Sequence, residues 1–272
     1  MSEQKQGISE ELVARKIAAY FNVGNTIAPE PILSLLKSRS SVNTGNFMTP
    51  QQEAAGHEET AEEETEEQQA EGPQAEQEEA GDDMSWQNGM VTGVVGRRMG
   101  INGLLDLRGV PADQVATIEQ LIINGVVLMD ESNRGALAGV KSVVNGTIMV
   151  APSDMRVMVQ PDIELSKASI EAMQPGQKLM IVGNMFFRPD IPPALIAEKF
   201  EDLRLVGVIV MSEGVQGALF GRGEVTGVSI IIPAGITHAV RSVGDNTWTA
   251  DYLSRLPDGI AYINIGNTRL PG

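Results

Sequence analysis

The imidazole complement of this 272-residue chain is two histidines, His57 and His238, and there is no cysteine. That excludes thiolate nucleophiles, thiolate metal sites and a disulfide framework, and it fits a reducing compartment. His238 has Asp245 and Asp251 downstream, a base with two candidate orienters. No serine stands in a nucleophile-elbow context to complete that set, so an ordinary, partly exposed histidine is expected. Glu131 and Glu213 each follow a methionine by two positions. Paired carboxylates share acid and base work only when they lie close together in unlike surroundings. Residues 82 positions apart in matching contexts fall several strands from each other, roughly 12 Å or more at a strand spacing of about 4.8 Å. Solvated turns are the expected setting for both.

Two glycine-rich stretches invite comparison with phosphate loops. GALAGVKS at 135–142 has its second glycine one place too early for G-x-x-x-x-G-K-[ST], and Val140 separates it from Lys141. GALFGRGE at 217–224 lacks both lysine and hydroxyl, and GRGEVTG at 221–227 does not fit G-x-G-x-x-G. The shared Gly-Ala-Leu reads as a turn with a buried leucine. The 13 methionines suit gap-filling in an aliphatic core better than metal ligation. Catalytic, metal and cofactor-binding residues are therefore expected to be absent, and no cofactor is expected.

The organising feature is a duplication. LIINGVVLMDESNRGALAG at 121–139 returns as LRLVGVIVMSEGVQGALFG at 203–221. Around it, residues 101–183 align with 184–266, matching Pro111 with Pro193, Met129 with Met211 and Pro152 with Pro233. Within each copy, alternating apolar runs pass through Gly103, Gly125 and Gly146, then Gly183, Gly207, Gly227 and Gly266, at intervals of 22, 21 and 37, then 24, 20 and 39. Each long interval has room for one further coil, in RVMVQPDIELSKASIEAM and in HAVRSVGDNTWTADYLSRL. VPADQVATIEQL and IPPALIAEKFEDL, between the runs, have helical spacing after proline.

Strand, turn, short helix and strand at about 20–25 residues is the grammar of a stacked repeat. Over residues 90–272 the chain resembles leucine-rich-repeat proteins and right-handed parallel β-solenoids. The resemblance implies a repeat solenoid, mainly parallel β with a short helix or turn in each coil, built from the two ~82-residue units 101–183 and 184–266. Asn102, Asn124 and Asn145 precede the glycine in the first copy only, where the second has Val206 and Thr226. An antiparallel meander is the competing reading, since Asn-Gly between apolar residues is a hairpin signal. It is disfavoured because the second copy keeps the strands without the asparagine.

Upstream, Ser9 caps a helix expected over EELVARKIAAYF, and Pro31 opens a second in PILSLLKSR. Residues 1–50 thus read as a small helical hairpin, either packed on itself or on the main domain, or a docking or oligomerisation module whose candidate partner-binding residues are Val13, Ile17, Phe21, Leu35 and Leu36. Residues 51–83 carry 12 Glu, two Asp and no Lys or Arg, the composition of a disordered acidic linker. The remaining chain, with residues 84–272 as the repeat domain, is left with 22 acids against 20 bases. No basic field exists to attract nucleic acid. No run approaches the ~18 apolar residues of a membrane span, MSEQKQGISEEL is no secretory signal, and a cytoplasmic protein is expected.

The function that follows is a non-enzymatic scaffold. It would associate with itself through an uncovered repeat end at INIGNTRLPG and recruit another protein through the tethered helices. A monomeric adaptor that binds a protein on the repeat face is the alternative. A carbohydrate-active enzyme on a β-helix ranks third, on fold analogy alone.

Overall fold

The structure, a computed structural model, describes residues 8–44, 46–53 and 84–270; the acidic stretch from 54 to 83 lies outside them. Before that stretch come helices α1 (Glu10–Lys16) and α2 (Glu30–Ser38), with strands β1 (Ile17–Asn22), β2 (Thr26–Ile27), β3 (Ser40–Asn43) and β4 (Phe47–Met48). After it, β5 (Ser85–Thr92), β6 (Arg98–Asp106), β7 (Gln120–Met129) and β8 (Lys141–Val150) enclose α3 (Ala112–Val115) and α4 (Arg134–Ala138). Next come β9 (Arg156–Leu165), β10 (Gln177–Phe187), β11 (Phe200–Ser212) and β12 (Gly223–Ile232), connected by α5 (Lys167–Glu171), α6 (Pro193–Lys199) and α7 (Glu213–Leu219). The chain closes with β13 (Ala239–Val243), β14 (Asn246–Thr247), α8 (Ala250–Arg255), β15 (Ile260–Ile265) and β16 (Thr268–Arg269).

Among the described residues all strand pairs are parallel, and they form four separate four-stranded sheets: β5-β6-β7-β8, β9-β10-β11-β12, β13-β15-β1-β3 and β14-β16-β2-β4. This corrects the expected single solenoid of leucine-rich-repeat or β-helix type. The architecture is a set of small α/β units: the first two sheets make one unit each, and the last two, whose strands are the halves before and after Gly244, Gly266 and Gly24, together make the third. The ladder breaks after β8 and after β12, where the chain runs through Ala151-Pro152 and Pro233-Ala234. Proline offers no N–H to a further ladder bond, and the next strand starts a new sheet.

Within a unit the register is set by glycine. Gly89, Gly103, Gly125 and Gly146 lie directly across from one another in β5 to β8. Gly125 has φ +145°, and a Cβ on it would overlap the carbonyl oxygen of Gly103. A side chain is excluded there because the strands meet backbone to backbone.

The helix-side core of the first unit is aliphatic, the second adds Phe187 and Phe200, and the third gathers Tyr20, Trp248 and Tyr262. Ile101, Leu105, Leu121, Ile123 and Val127 meet Val115 of α3 and Leu137 of α4. Ile170, Ile196 and Val215, from α5, α6 and α7, cover the second sheet. The helices are short because loops must return the chain to the next strand, and side chains stop them from fraying. Ser9, Ser166, Ser212 and Thr249 each accept from a backbone N–H of the first turn of their helix.

The third unit is split between the two ends of the chain. β15 pairs with β1 in register, Tyr262 with Tyr20 and Asn264 with Asn22. Gly24 is packed on Gly266 as Gly125 is on Gly103. Val13, Ile17, Tyr20, Ile32, Leu33 and Leu36 share a core with Trp248, Leu253, Ile260 and Tyr262. The helix expected over Glu10–Phe21 therefore stops at Lys16, and Ile17–Asn22 is a central strand. The segment read as a tethered hairpin completes a sheet begun some 240 residues later.

Lys16, largely buried, holds α1 to the turn before β15. Its Nζ donates to the Leu256 carbonyl at 2.7 Å and meets Asp258 Oδ1 at 2.7 Å. The Lys16 contact holds the Asp258 carboxyl below the usual carboxylate range. A folded-state value below the unfolded one adds stability above the unfolded pKa, and that contribution is lost as pH falls through the folded one. Asp258→Asn should therefore lower the melting temperature at neutral pH. The gap to the parent protein should close as pH is taken below about 4, which thermal melts across pH 3–7 would measure.

Candidate interaction surface

Each sheet has a second face without helices, and these faces join the units. Leu104, Val126 and Leu128 of the first unit meet Met180, with Val157, Val182 and Val206 alongside, in the second. Phe186, Val208, Val210 and Ile230 of the second meet Phe21, Ala261 and Ile263 of the third. In both joints the strand halves after the stacked glycine belong to the earlier unit, and those before it to the later one. An alternating strand through a glycine sorts its residues this way, since every second residue points to the same face.

Charged groups at the joints are structural. Arg108 forks onto Asp106, with Nε to Oδ1 at 2.9 Å and Nη2 to Oδ2 at 2.7 Å, and gives Nη1 to the carbonyls of Pro152 and Met155. Both side chains are over nine-tenths buried, so the pair fixes the turn between the first two sheets. Arg108→Ala would strand a buried carboxylate and two carbonyls. The expected loss is about 3 kcal/mol, read as a lower urea midpoint. Arg108→Lys should recover only part, since it restores the charge without the fork. At the second joint Arg241 bonds Asp162, lies 3.7 Å from Glu164 and stacks over the Phe186 ring, its guanidinium carbon 5.4 Å from the centroid.

Two half-faces have no such cover from another unit, although the helical turn at residues 50–53 borders the second of them through Gln52 and Glu53. On the first unit, Asn88, Asn102, Asn124 and Asn145 form an exposed amide ladder, in which Nδ2 of Asn102, Asn124 and Asn145 donates to the Oδ1 of the preceding strand's asparagine at 2.8–3.0 Å. Beside it runs an apolar strip of Trp86, Ile122 and Val143, with Trp86 lying across Gly100 and half exposed. On the third unit the ladder is Asn25 to Asn267 at 3.0 Å and Asn267 to Asp245 at 2.8 Å. It floors an open cleft of about 690 Å³ that also includes Ile27, Met48 and Arg269. Arg269 pairs with Glu53 at its rim.

The residues singled out for chemistry are not brought together. The exposed His238 ring bonds Thr237 Oγ1 at 2.9 Å, while Asp245 takes Asn267 and Asp251 takes Arg255 at 2.6 Å. Glu131 and Glu213 are exposed at helix starts in different units. The two Gly-Ala-Leu stretches are helical, with Leu137 buried and Leu219 packed against the second core. Among the described residues no group of three His, Asp or Glu is arranged to hold a metal ion, and no helix is long and apolar enough to cross a membrane.

The five candidate partner-binding residues are turned inward. Val13, Ile17 and Leu36 are in the third unit's core, Phe21 is in its joint with the second, and Leu35 is partly buried against the core. The exposed large apolar residues lie elsewhere: Trp86 and Met90 on β5, Val143 and Ile148 on β8, Val159, Val225 and Val243 on β9, β12 and β13, with Val95 and Phe220 in turns. The signal that locates the first half-face was present in the sequence as INGLL, INGVV and VNGTI. It marks a ladder of stacked amides across parallel strands.

No protein-family model, curated protein or solved structure matches this chain. Function must be argued from its own surfaces.

Proposed function

We propose that the protein is a structural scaffold, without catalytic chemistry of its own, that associates with further copies of itself. One observation supports the reading. Of the nine large apolar side chains exposed among the described residues, seven lie on β5, β8, β9, β12 and β13, all at sheet edges. An edge strand presents unpaired N–H and C=O groups, and proteins that must stay single guard it with charge, proline or a covering loop. Here β8 instead displays Val143 and Ile148, 53% and 51% exposed. Recruitment of a partner through the N-terminal helices is not part of this reading, because their apolar residues already have neighbours.

Sedimentation velocity on the full chain tests it. The average mass should rise as concentration goes from about 1 to about 100 μM. Val143→Lys with Ile148→Lys, placing charge on one edge, should shift the distribution toward monomer. A single monomer boundary at every concentration would defeat the reading.

A further inference from the structure

We infer that a second copy of the chain docks its first unit, through the asparagine ladder and the Trp86 strip, onto the cleft face of the third unit. This rests on the self-association proposed above and names its surface.

The same joint is made twice inside one chain. The strand halves after the glycine of the first unit carry the halves before the glycine of the second, and the second carries the third likewise. Continued once more, that relation calls for a face to sit on the post-glycine half of the third unit. The pre-glycine half of the first unit is the counterpart with no cover: Asn102, Asn124 and Asn145 are exposed, and Trp86 and Val143 are about half exposed. Neither half-face is met by the other within the chain. No hydrophobic cluster joins the first unit to the third, nor does any of the described hydrogen bonds or ion pairs.

The chemistry of the two halves corresponds. A ladder of amides, each with donor and acceptor capacity, faces a ladder of Asn25, Asn267 and Asp245, so the exposed groups find complements when water leaves. The apolar strip lies opposite Ile27 and Met48. The position three before the glycine on a unit's first strand is Arg241 in the third unit and Trp86 in the first. In the preceding unit's first strand, the position level with the one after the glycine is Asp162 at the existing joint and Asp245 at the open one. Asp245 is next after Gly244, while Gln160-Pro161 replace the glycine before Asp162, which lies across from Asn184. Arg241 bonds Asp162. In the docked pair the Trp86 indole N–H takes that place toward Asp245. Such a contact joins unlike surfaces, so it propagates from copy to copy as a ring or filament and does not stop at a two-fold dimer.

The test separates head from tail. Ile122→Arg, on the interior strand β7, blocks the first-unit face; Asn267→Arg blocks the third-unit face. Asn124→Lys and Thr247→Arg repeat the pair if either variant fails to give a cooperative melt. Each variant alone should associate at least about tenfold more weakly, a 1.4 kcal/mol change. Mixed, the two should form a 1:1 dimer and nothing larger, because each retains the face the other has lost. Trp86 in the parent chain should become shielded from acrylamide as concentration rises, while buried Trp248 stays unchanged.

If both variants associate like the parent, scaffolding through strand edges stands and this surface is wrong. Loss of association in each variant with no mixed dimer also overturns it, because that is the pattern of a like-with-like contact. A chain that is monomeric until residues 54–83 are removed would show that the acidic segment covers the face, and would overturn it too. Monomer under all conditions removes the scaffold reading along with it.

Discussion

Gly125→Ala should abolish cooperative folding of the first unit, although it adds a single methyl group. Gly125 lies in β7, between β6 and β8, with φ +145° and no room for a Cβ beside the Gly103 carbonyl. The backbone conformation alone costs an L-residue about 1–3 kcal/mol. Relieving the overlap requires β7 to move away from β6, which stretches ladder bonds on both of its sides. A loss of at least about 4 kcal/mol is expected, at the extreme of single substitutions. Urea unfolding followed by circular dichroism would report it. Gly135→Ala is the control: Gly135 is in helix α4 with nothing near its Cβ position, so the same change there should be neutral or stabilise by up to about 1 kcal/mol. Equal effects at the two positions would refute the close-stacking account.

Removing residues 1–53 should have an effect of similar size, and it should be reversible by adding them back. Val13, Ile17, Tyr20, Phe21, Ile32, Leu33 and Leu36 are all almost completely buried against the C-terminal part of the chain. At about 1.5–3 kcal/mol each, these seven match or exceed the net stability of an ordinary domain, about 5–15 kcal/mol. Without them Trp248 and Tyr262 lose their cover, and β15 loses β1. Chain 84–272 should keep an unfolding transition for the first two units while Trp248 emission shifts to the red. A peptide of residues 8–53 should restore it. Likewise, a full chain cut at a protease site placed between 54 and 83 should elute as one species, its halves held without a covalent link. Without the linker they lose an effective concentration of order millimolar, so dilution should eventually separate them. If 84–272 melts like the whole chain, the split sheet is not a stabilising element.

Much of this could be read from the residues. The glycine-centred runs at 103, 125, 146, 183, 207 and 227 are all strands, because an alternating apolar pattern through glycine is a local property. Each long interval contains a strand as well, β9 in one and β13 in the other. What local pattern could not convey is where a sheet ends. Pro152 and Pro233 were visible as matched positions, but their effect of opening a new sheet depends on what the following strand packs against. The third unit escaped for another reason. Ile17 and Phe21 stand four apart, the spacing of one helix face, but a bulge between Ile17 and Ala19 puts them on opposite faces of β1. The β-branched and aromatic content of IAAYF was the better guide. Its partner strand lies at the far end of the chain. The candidate surface was half legible: the amides at 102, 124 and 145 recur before glycine in the sequence, while the second ladder, at 25, 245 and 267, exists only once β2, β16 and β14 are side by side.

The pairing of Asn22 with Asn264 spans 242 residues, and that separation sets an order of events during synthesis. The first and second units can form as they leave the ribosome, each from contiguous chain. β1 emerges before either of them and must wait, with Tyr20 and Phe21 uncovered, until β15 is made. A chain that stops before β15 leaves Tyr20 and Phe21 without their β15 neighbours. Its exposed apolar run would distinguish chains that lack β15 from chains in which β15 has been made.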